Sequence, residues 1–256
     1  MSNLFAGREG AATVPLGIWV KLPAVEVVEL AAHAGLDFVI IDLEHAPLGM
    51  ETTAHLIASA SARGVTPIVR VPGLDPALMQ RLLDAGAGGL HVPHVETVAD
   101  AKAIVEATRF PPLGSRGSGA MSRAGGWGRK GRAEYVREGN EDILVIAALE
   151  SRQAIESADD LLAVDGIDGI FVGAGDLSLS LDRKVTDPEV QRLVDDAIAA
   201  AARAGKPCGG AMRDGAQAIK GVSRGFGFLT LGNDTSILLN RATALVDEVR
   251  QGVGAA

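Results

Sequence analysis

Short apolar runs recur along the chain, and each is followed by a longer segment whose apolar residues have helical spacing. The runs lie at 16–20, 38–42, 67–70, 89–92, 144–149, 169–172, 206–211 and 227–231. Several are apolar at consecutive rather than alternate positions. A strand with one wet face alternates, whereas a strand buried on both faces does not, and that is the condition of a parallel sheet covered by helices. Eight such units in 256 residues, with no linker or compositional break, predict an α/β chain folded as one (β/α)8 TIM barrel, a single domain over 1–256.

The helical segments carry their own signals. Val190, Leu193, Val194, Ala197, Ile198 and Ala201 form one apolar stripe; Leu238, Leu239, Ala242, Leu245, Val246 and Val249 form another. Asp187-Pro188 reads as a helix start, a capping carboxylate followed by proline in the first turn. Glycines at 35, 64, 86 and 205 fall where helices should stop before the next strand. One stretch breaks the rhythm: 110–131, with PPLGSRGSGAMSRAGGWGRKG. A loop this long in a compact barrel is functional or disordered.

Bulk properties narrow the partners. Hydrophobic residues make up 47% of the chain, enough for a large core. The formal net charge is −8 and no basic run occurs, which argues against nucleic acid and anionic membranes. Cys208 is the only cysteine, so no intrachain disulfide can form, consistent with a reducing compartment. The start, MSNLFAGREG, lacks the basic-then-apolar pattern of a secretion signal. No apolar stretch approaches the roughly 18–20 residues that span a bilayer. A cytoplasmic protein is expected.

In such barrels chemistry sits at the C-terminal ends of the strands, and here those ends are polar. Strand one ends near Trp19, strand two runs into Asp42-Leu43-Glu44-His45, and strand three ends on Arg70. Strand four leads to Pro93-His94, strand five to Glu150, strand six through Gly173-Ala174-Gly175 to Asp176, and strand eight to Asn233-Asp234. Glu150 and Asp176 are the natural metal pair, because one or two carboxylates plus substrate oxygens suffice for a hard divalent cation; the alternative is a pair of loop acids or helix caps. Arg70 could hold a carboxylate or an oxyanion, or make a structural salt bridge to Asp42 or Glu44. His45 is the best acid/base candidate, with a hydrogen-bonded structural histidine as the alternative. His94 reads as a rim residue. His91 reads as packing or interface, since a spacing of three along a strand puts the two side chains on opposite faces. His33 and His55 lie in helical segments and read as structural.

A Schiff-base mechanism needs a lysine inside the barrel near that rim. Of Lys21, Lys102, Lys130, Lys184, Lys206 and Lys220, only Lys21 lies just past a strand's C-terminal end, and Lys206 begins a strand, at the wrong end. This weakens a lysine mechanism. The glycine-rich stretch lacks the GxxxxGK[ST] spacing of a nucleotide loop.

These segments resemble the HpcH/HpaI aldolase family over nearly the whole chain: GIWV at 17–20, IDLEHAP at 41–47, PIVRVP at 67–72, LLDAGAGGLHVPHVET at 82–97, RFPPLGSRG at 109–117, SRA at 122–124, LE at 149–150, GIFVGAGDLSLSL at 169–181 and LGNDTS at 231–236. The resemblance implies a phosphoenolpyruvate/pyruvate-type barrel acting as a class II pyruvate aldolase. It further implies that Glu150 and Asp176 bind Mg2+ or Mn2+, with Co2+ as an alternative. Backbone N–H groups around Gly175 and Asp176 would hold the substrate carboxylate, with Trp19 also lining the substrate. Arg70, supported by Asp42, would stabilise the enolate oxygen. His45 would act as acid/base through water, oriented by Asp84. The family's hexameric assembly, a trimer of dimers, implies that Asp84 can serve a neighbouring chain. The implied ligands are a small 2-oxo acid and an aldehyde.

The sequence departs from the family in three places. A glutamine usual two residues before the metal glutamate is Ala148, the family's GPxDL is GAGDL with Ala174 for proline, and His91 and His94 stand where apolar residues are usual. The expected reaction is cleavage of a 4-hydroxy-2-oxo acid to pyruvate and an aldehyde. Alternatives are hydroxypyruvate as nucleophile, a 2-keto-3-deoxy sugar acid, a citrate-forming condensation, and a non-catalytic metabolite-binding barrel.

Overall fold

In a computed structural model that describes residues 4, 5 and 14–254, the apolar runs form eight parallel strands: β1 (Leu16–Val20), β2 (Phe38–Asp42), β3 (Thr66–Arg70), β4 (Gly89–Val92), β5 (Leu144–Leu149), β6 (Gly169–Val172), β7 (Cys208–Met212) and β8 (Phe228–Asn233). They close into a barrel in chain order, β8 pairing with β1. The predicted strands hold, with β7 and β8 displaced toward the C-terminus. Lys206 stays below the sheet, its ammonium 2.7 Å from the Leu162 carbonyl. The intervening helices are α1 (Val25–His33), α2 (Met50–Ala62), α3 (Pro76–Asp84), α4 (Val98–Thr108), α5 (Arg132–Glu141), α6 (Arg152–Glu156), α7 (Ala158–Leu162), α8 (Ala174–Ser180), α9 (Pro188–Ala204), α10 (Gly215–Arg224) and α11 (Asp234–Gly254).

Strand alternation sorts the core into two shells. Leu90, Val92, Ala147 and Leu149 point outward into the layer shared with the helices. Phe38, Ile40, Ile68, Ile146, Phe171 and Phe228 point inward and fill the barrel. Gly17 and Gly209 make room for these rings: a Cβ at Gly17 would lie 2.4 Å from the Phe38 ring, and one at Gly209 would lie 2.2 Å from Phe228. Burying each phenylalanine contributes about 1.5–3 kcal/mol, which alanine at either glycine would erode through overpacking.

The two apolar stripes have different fates. On α9 every residue of the stripe is buried, the Asp187 carboxylate accepts from the Glu189 N–H at 2.9 Å, and Gly205 ends the helix with a φ of 64°. On α11 the stripe is bare: Leu238, Leu239 and Val249 are each more than 60% exposed. The cause is local. α11 starts directly where β8 ends, with no loop to turn it back over the barrel. Asp234 is pinned at that junction by the backbone N–H groups of Lys21 and Leu22, both at 2.9 Å. The helix meets the sheet chiefly at β8 and β1.

The glycine-rich stretch is ordered and folds back on α3 and α5. Its Arg116 is buried, lies over the Phe110 ring at 4.5 Å and donates to Asp84 at 2.8 Å. The Gly119 N–H donates to the Tyr135 hydroxyl at 3.2 Å.

Candidate active site

Register sets the floor of the C-terminal mouth. Asp42 pairs with Arg70, and Arg70 with His91, so three polar residues on β2, β3 and β4 stand at one height facing the barrel interior. Arg70 donates from Nε to Asp42 Oδ1 at 2.9 Å and from Nη2 to Oδ2 at 2.8 Å. Its Nη1 faces Glu44 Oε2 at 2.9 Å as an ion pair without an aligned hydrogen bond. The guanidinium lies over the Trp19 ring, 4.4 Å from its centroid, and the indole N–H is anchored on Thr230 at 2.9 Å. Trp19 thus reaches the mouth mainly as the surface on which Arg70 rests.

Asp42 is fully buried. Burial alone would raise its pKa, but the hydrogen bonds from Arg70 and Lys21 overcome it and hold the carboxyl well below the usual carboxylate range. Its Oδ1 also accepts the backbone N–H groups of Glu44 and His45, both at 3.1 Å. One carboxylate therefore fixes the arginine, the Lys21 ammonium and the turn that presents His45.

Further round the mouth, past β5 and β6, the wall is acidic. Glu150, just past β5, is largely buried, and Asp176 lies in the first turn of α8. Burial raises the Glu150 pKa; the charges of Asp176 and Glu44 push the same way, while His94 opposes them. His94 has a φ of 56°, which turns its ring back over the mouth: Nδ1 is 3.1 Å from Glu150 and Nε2 is 3.3 Å from Glu44. Its backbone N–H also donates to Glu150 at 3.2 Å. No lysine or arginine pairs with Glu150 or Asp176 among the described residues. A Cβ at Gly173 would lie 2.7 Å from the Glu150 side chain, whereas one at Gly175 would meet nothing within 4 Å. The chain thus crowds Glu150 from one side and leaves open space over the first turn of α8, where helical N–H groups have no partner within the helix.

The remaining predicted residues separate. His45 is on the rim and exposed, its Nε2 3.7 Å from Glu44. Asp84 does not join it within one chain: its partners are Arg116 at 2.8 Å and the Tyr135 hydroxyl at 3.5 Å. His91 is inside the barrel, 1% exposed, in T-shaped contact with Trp19 and Phe171, and among the described residues no other residue makes an aligned hydrogen bond to either ring nitrogen. Burial, with help from the Arg70 charge, pushes its pKa down to about 3, so it is neutral. The expectation that His91 and His94 face apart fails because β4 ends at Val92, and strand alternation no longer governs His94. Glu44, expected from the sequence as a possible salt-bridge partner of Arg70, does pair with it, and Lys21, the one lysine expected past a strand's C-terminal end, pairs with Asp42. Thr230 is the site residue that the reading of strand ends did not single out.

Among the described residues no group of three or more His, Cys, Asp or Glu side chains is arranged to hold a metal ion. No helix among them is long and apolar enough to cross a membrane.

Comparison with known proteins follows the same geometry. Residues 16–240 match the model of the HpcH/HpaI aldolase/citrate lyase family. A 2-keto-3-deoxy-L-rhamnonate aldolase of Klebsiella pneumoniae subsp. pneumoniae is 38% identical over 240 residues, 93% of this chain and 89% of the relative. Among solved structures, an HpcH/HpaI aldolase from Desulfitobacterium hafniense DCB-2 superposes with a TM-score of 0.91 at 31% identity, covering 97% of each chain. The citrate synthase SbnG superposes with a TM-score of 0.87 at 30% identity, covering 96% of this chain and 97% of its own. The chain belongs to the HpcH/HpaI aldolase/citrate lyase family and is a carbon–carbon lyase.

Proposed function

We propose that this site carries out metal-dependent, class II cleavage of a 4-hydroxy-2-oxo acid to pyruvate, or hydroxypyruvate, and an aldehyde. The observation that carries the proposal is the division of charge across one mouth. A fixed arginine ends β3, and Glu150 and Asp176, with no lysine or arginine partner among the described residues, follow β5 and β6.

The donor set fits a hard divalent cation. A buried carboxylate whose ionisation is opposed by burial and by two acidic neighbours gains from a cation, and oxygen donors without thiolate match Mg2+, Mn2+ or Co2+. With two protein carboxylates, further positions are left to substrate oxygens and water. When bound, such a metal supplies Lewis-acid polarisation of a 2-oxo group.

The chain's own groups account for the remaining work. N–H groups at Gly175 and Asp176 hold the substrate carboxylate. Arg70 still has N–H capacity beyond Asp42, and it donates to the 2-oxo oxygen as negative charge develops there. His45, acting through water, takes the proton of the 4-hydroxyl as the bond between C3 and C4 breaks. The electron pair of that bond becomes the pyruvate enolate, the aldehyde leaves, and a proton returns to C3. Lys21 is committed to Asp42 rather than to an imine.

The name of the Klebsiella relative supports a 2-keto-3-deoxy sugar acid, itself a 4-hydroxy-2-oxo acid, as the substrate class. The bare stripe of α11 supports assembly with further copies, and a trimer of dimers would let Asp84 reach a neighbour's His45. Pyruvate release from a panel of 4-hydroxy-2-oxo acids, including 2-keto-3-deoxy sugar acids, with Mn2+ and after chelation, tests the proposal. Metal-dependent release from at least one member is expected. Release that survives chelation, or release from none, contradicts it.

A further inference from the structure

We propose that His91 is a substrate-positioning residue, supplying from β4 the polar contact that Ala148 cannot supply from β5. The proposal rests on the aldolase reading above and adds a residue to it.

The two positions belong to one surface. Strand alternation points both inward: Leu90 and Val92 flank His91 on the helix side, and Ala147 and Leu149 flank Ala148 there. His91 pairs with Ile146, two residues before Ala148 on the adjacent strand, and Ala148 pairs with Phe171, whose ring touches the imidazole at 5.1 Å. On its other side His91 is level with Arg70. The imidazole therefore lies between the residue assigned to the enolate oxygen and a position that offers only a methyl group.

What singles out His91 is its lack of partners. Buried polar side chains in folded proteins are hydrogen-bonded with few exceptions, yet among the described residues no other residue offers its two buried nitrogens an aligned hydrogen bond, and its one polar contact is with its own backbone. Its neighbours Trp19 and Phe171 meet it in T-shaped contacts, with ring centroids 5.3 and 5.1 Å away. An apolar residue would serve packing better, so a packing role does not explain a histidine. A neutral imidazole has one donor and one acceptor. Its low pKa keeps it in that form at working pH, so it adds a donor beside Arg70 without adding a second positive charge. The ligand it fits is an oxygen of the bound 2-oxo acid, reached directly or through one water.

The test uses the full-length enzyme loaded with Mn2+ and the pyruvate analogue oxalate. His91→Leu is expected to weaken oxalate roughly tenfold by calorimetry, the worth of one hydrogen bond at a buried site. It should raise KM for cleavage more than it lowers kcat, and leave the melting temperature at or above the wild-type value. His91→Gln, which keeps a donor, should retain more of the affinity. Adding Ala148→Gln to His91→Leu should restore part of it. Wild-type oxalate affinity in His91→Leu, affinity lost only with a fall in melting temperature, or no recovery in the double variant overturns the proposal. Failure of the aldolase reading looks different: the wild-type enzyme with Mn2+ would then neither bind oxalate nor cleave any 4-hydroxy-2-oxo acid.

Discussion

Arg70 grips Asp42 through two nearly parallel hydrogen bonds, Nε to Oδ1 at 2.9 Å and Nη2 to Oδ2 at 2.8 Å, on adjacent strands inside the barrel. Only a planar fork can satisfy that carboxylate, rest on Trp19 and still present N–H groups to a ligand. Arg70→Lys keeps the charge but not the fork. Losing one oxyanion donor typically costs on the order of 100–1000-fold in turnover. Steady-state pyruvate release should fall by about that factor, and near-wild-type turnover would remove Arg70 from enolate stabilisation.

Among the described residues neither Glu150 nor Asp176 has a lysine or arginine partner. Glu150→Ala and Asp176→Ala should each abolish Mn2+ binding by calorimetry, because a site with two protein ligands has none to spare. The metal-free fold should survive, since each change removes like charge from a crowded acidic wall. Unchanged Mn2+ affinity in either variant would show that the metal lies elsewhere.

Burial and Arg70 push the His91 pKa down to about 3, against about 6.5 for a free imidazole. Below pH 6.5 the unfolded chain takes up a proton that the folded chain refuses, so stability falls as the pH drops from 6.5 toward 3. Asp42, held well below the usual carboxylate range, stays charged across this window. His91→Leu lacks the term. Denaturant melts should show the wild type losing about 2 kcal/mol more than the variant between pH 7.5 and pH 5. Parallel stability curves would mean that His91 gains a proton or a partner in the folded state.

Leu238 and Leu245 on α11 are 65% and 45% exposed in the single chain. Replacing both with glutamate should cost the isolated fold little and should break any assembly that buries them. Sedimentation should show a multimer for the wild type and a smaller species for the double variant. An unchanged mass would place the subunit contact on another surface.

The barrel was legible because strands buried on both faces leave consecutive apolar runs, and because Asp187-Pro188 and Gly205 mark a helix by local chemistry alone. The rim was legible as a list of strand ends, and Arg70, Asp42, Glu150 and Asp176 are indeed at one mouth. What stayed hidden depends on the third dimension. His94 reaches Glu150 only through a backbone turn beyond β4, whereas the pairing of Arg70 with Glu44, two residues past Asp42, was among the alternatives the strand ends offered. Asp84 could not be placed, because its partner Arg116 comes from a stretch whose glycines gave no periodic signal and Tyr135 from the helix that follows it. The exposure of α11 was hidden because an apolar stripe looks the same whether its own barrel or another surface covers it.

The central claim is that a divalent metal and Arg70 together stabilise a pyruvate enolate without a covalent imine. Exchange of the C3 protons of pyruvate in deuterated water, followed by NMR, isolates that step because no aldehyde is needed. The account predicts exchange with Mn2+, none after chelation, strongly slowed exchange in Arg70→Lys, and no adduct on Lys21 after borohydride treatment. Exchange that persists without metal, accompanied by a borohydride-trapped pyruvate on Lys21, would contradict it.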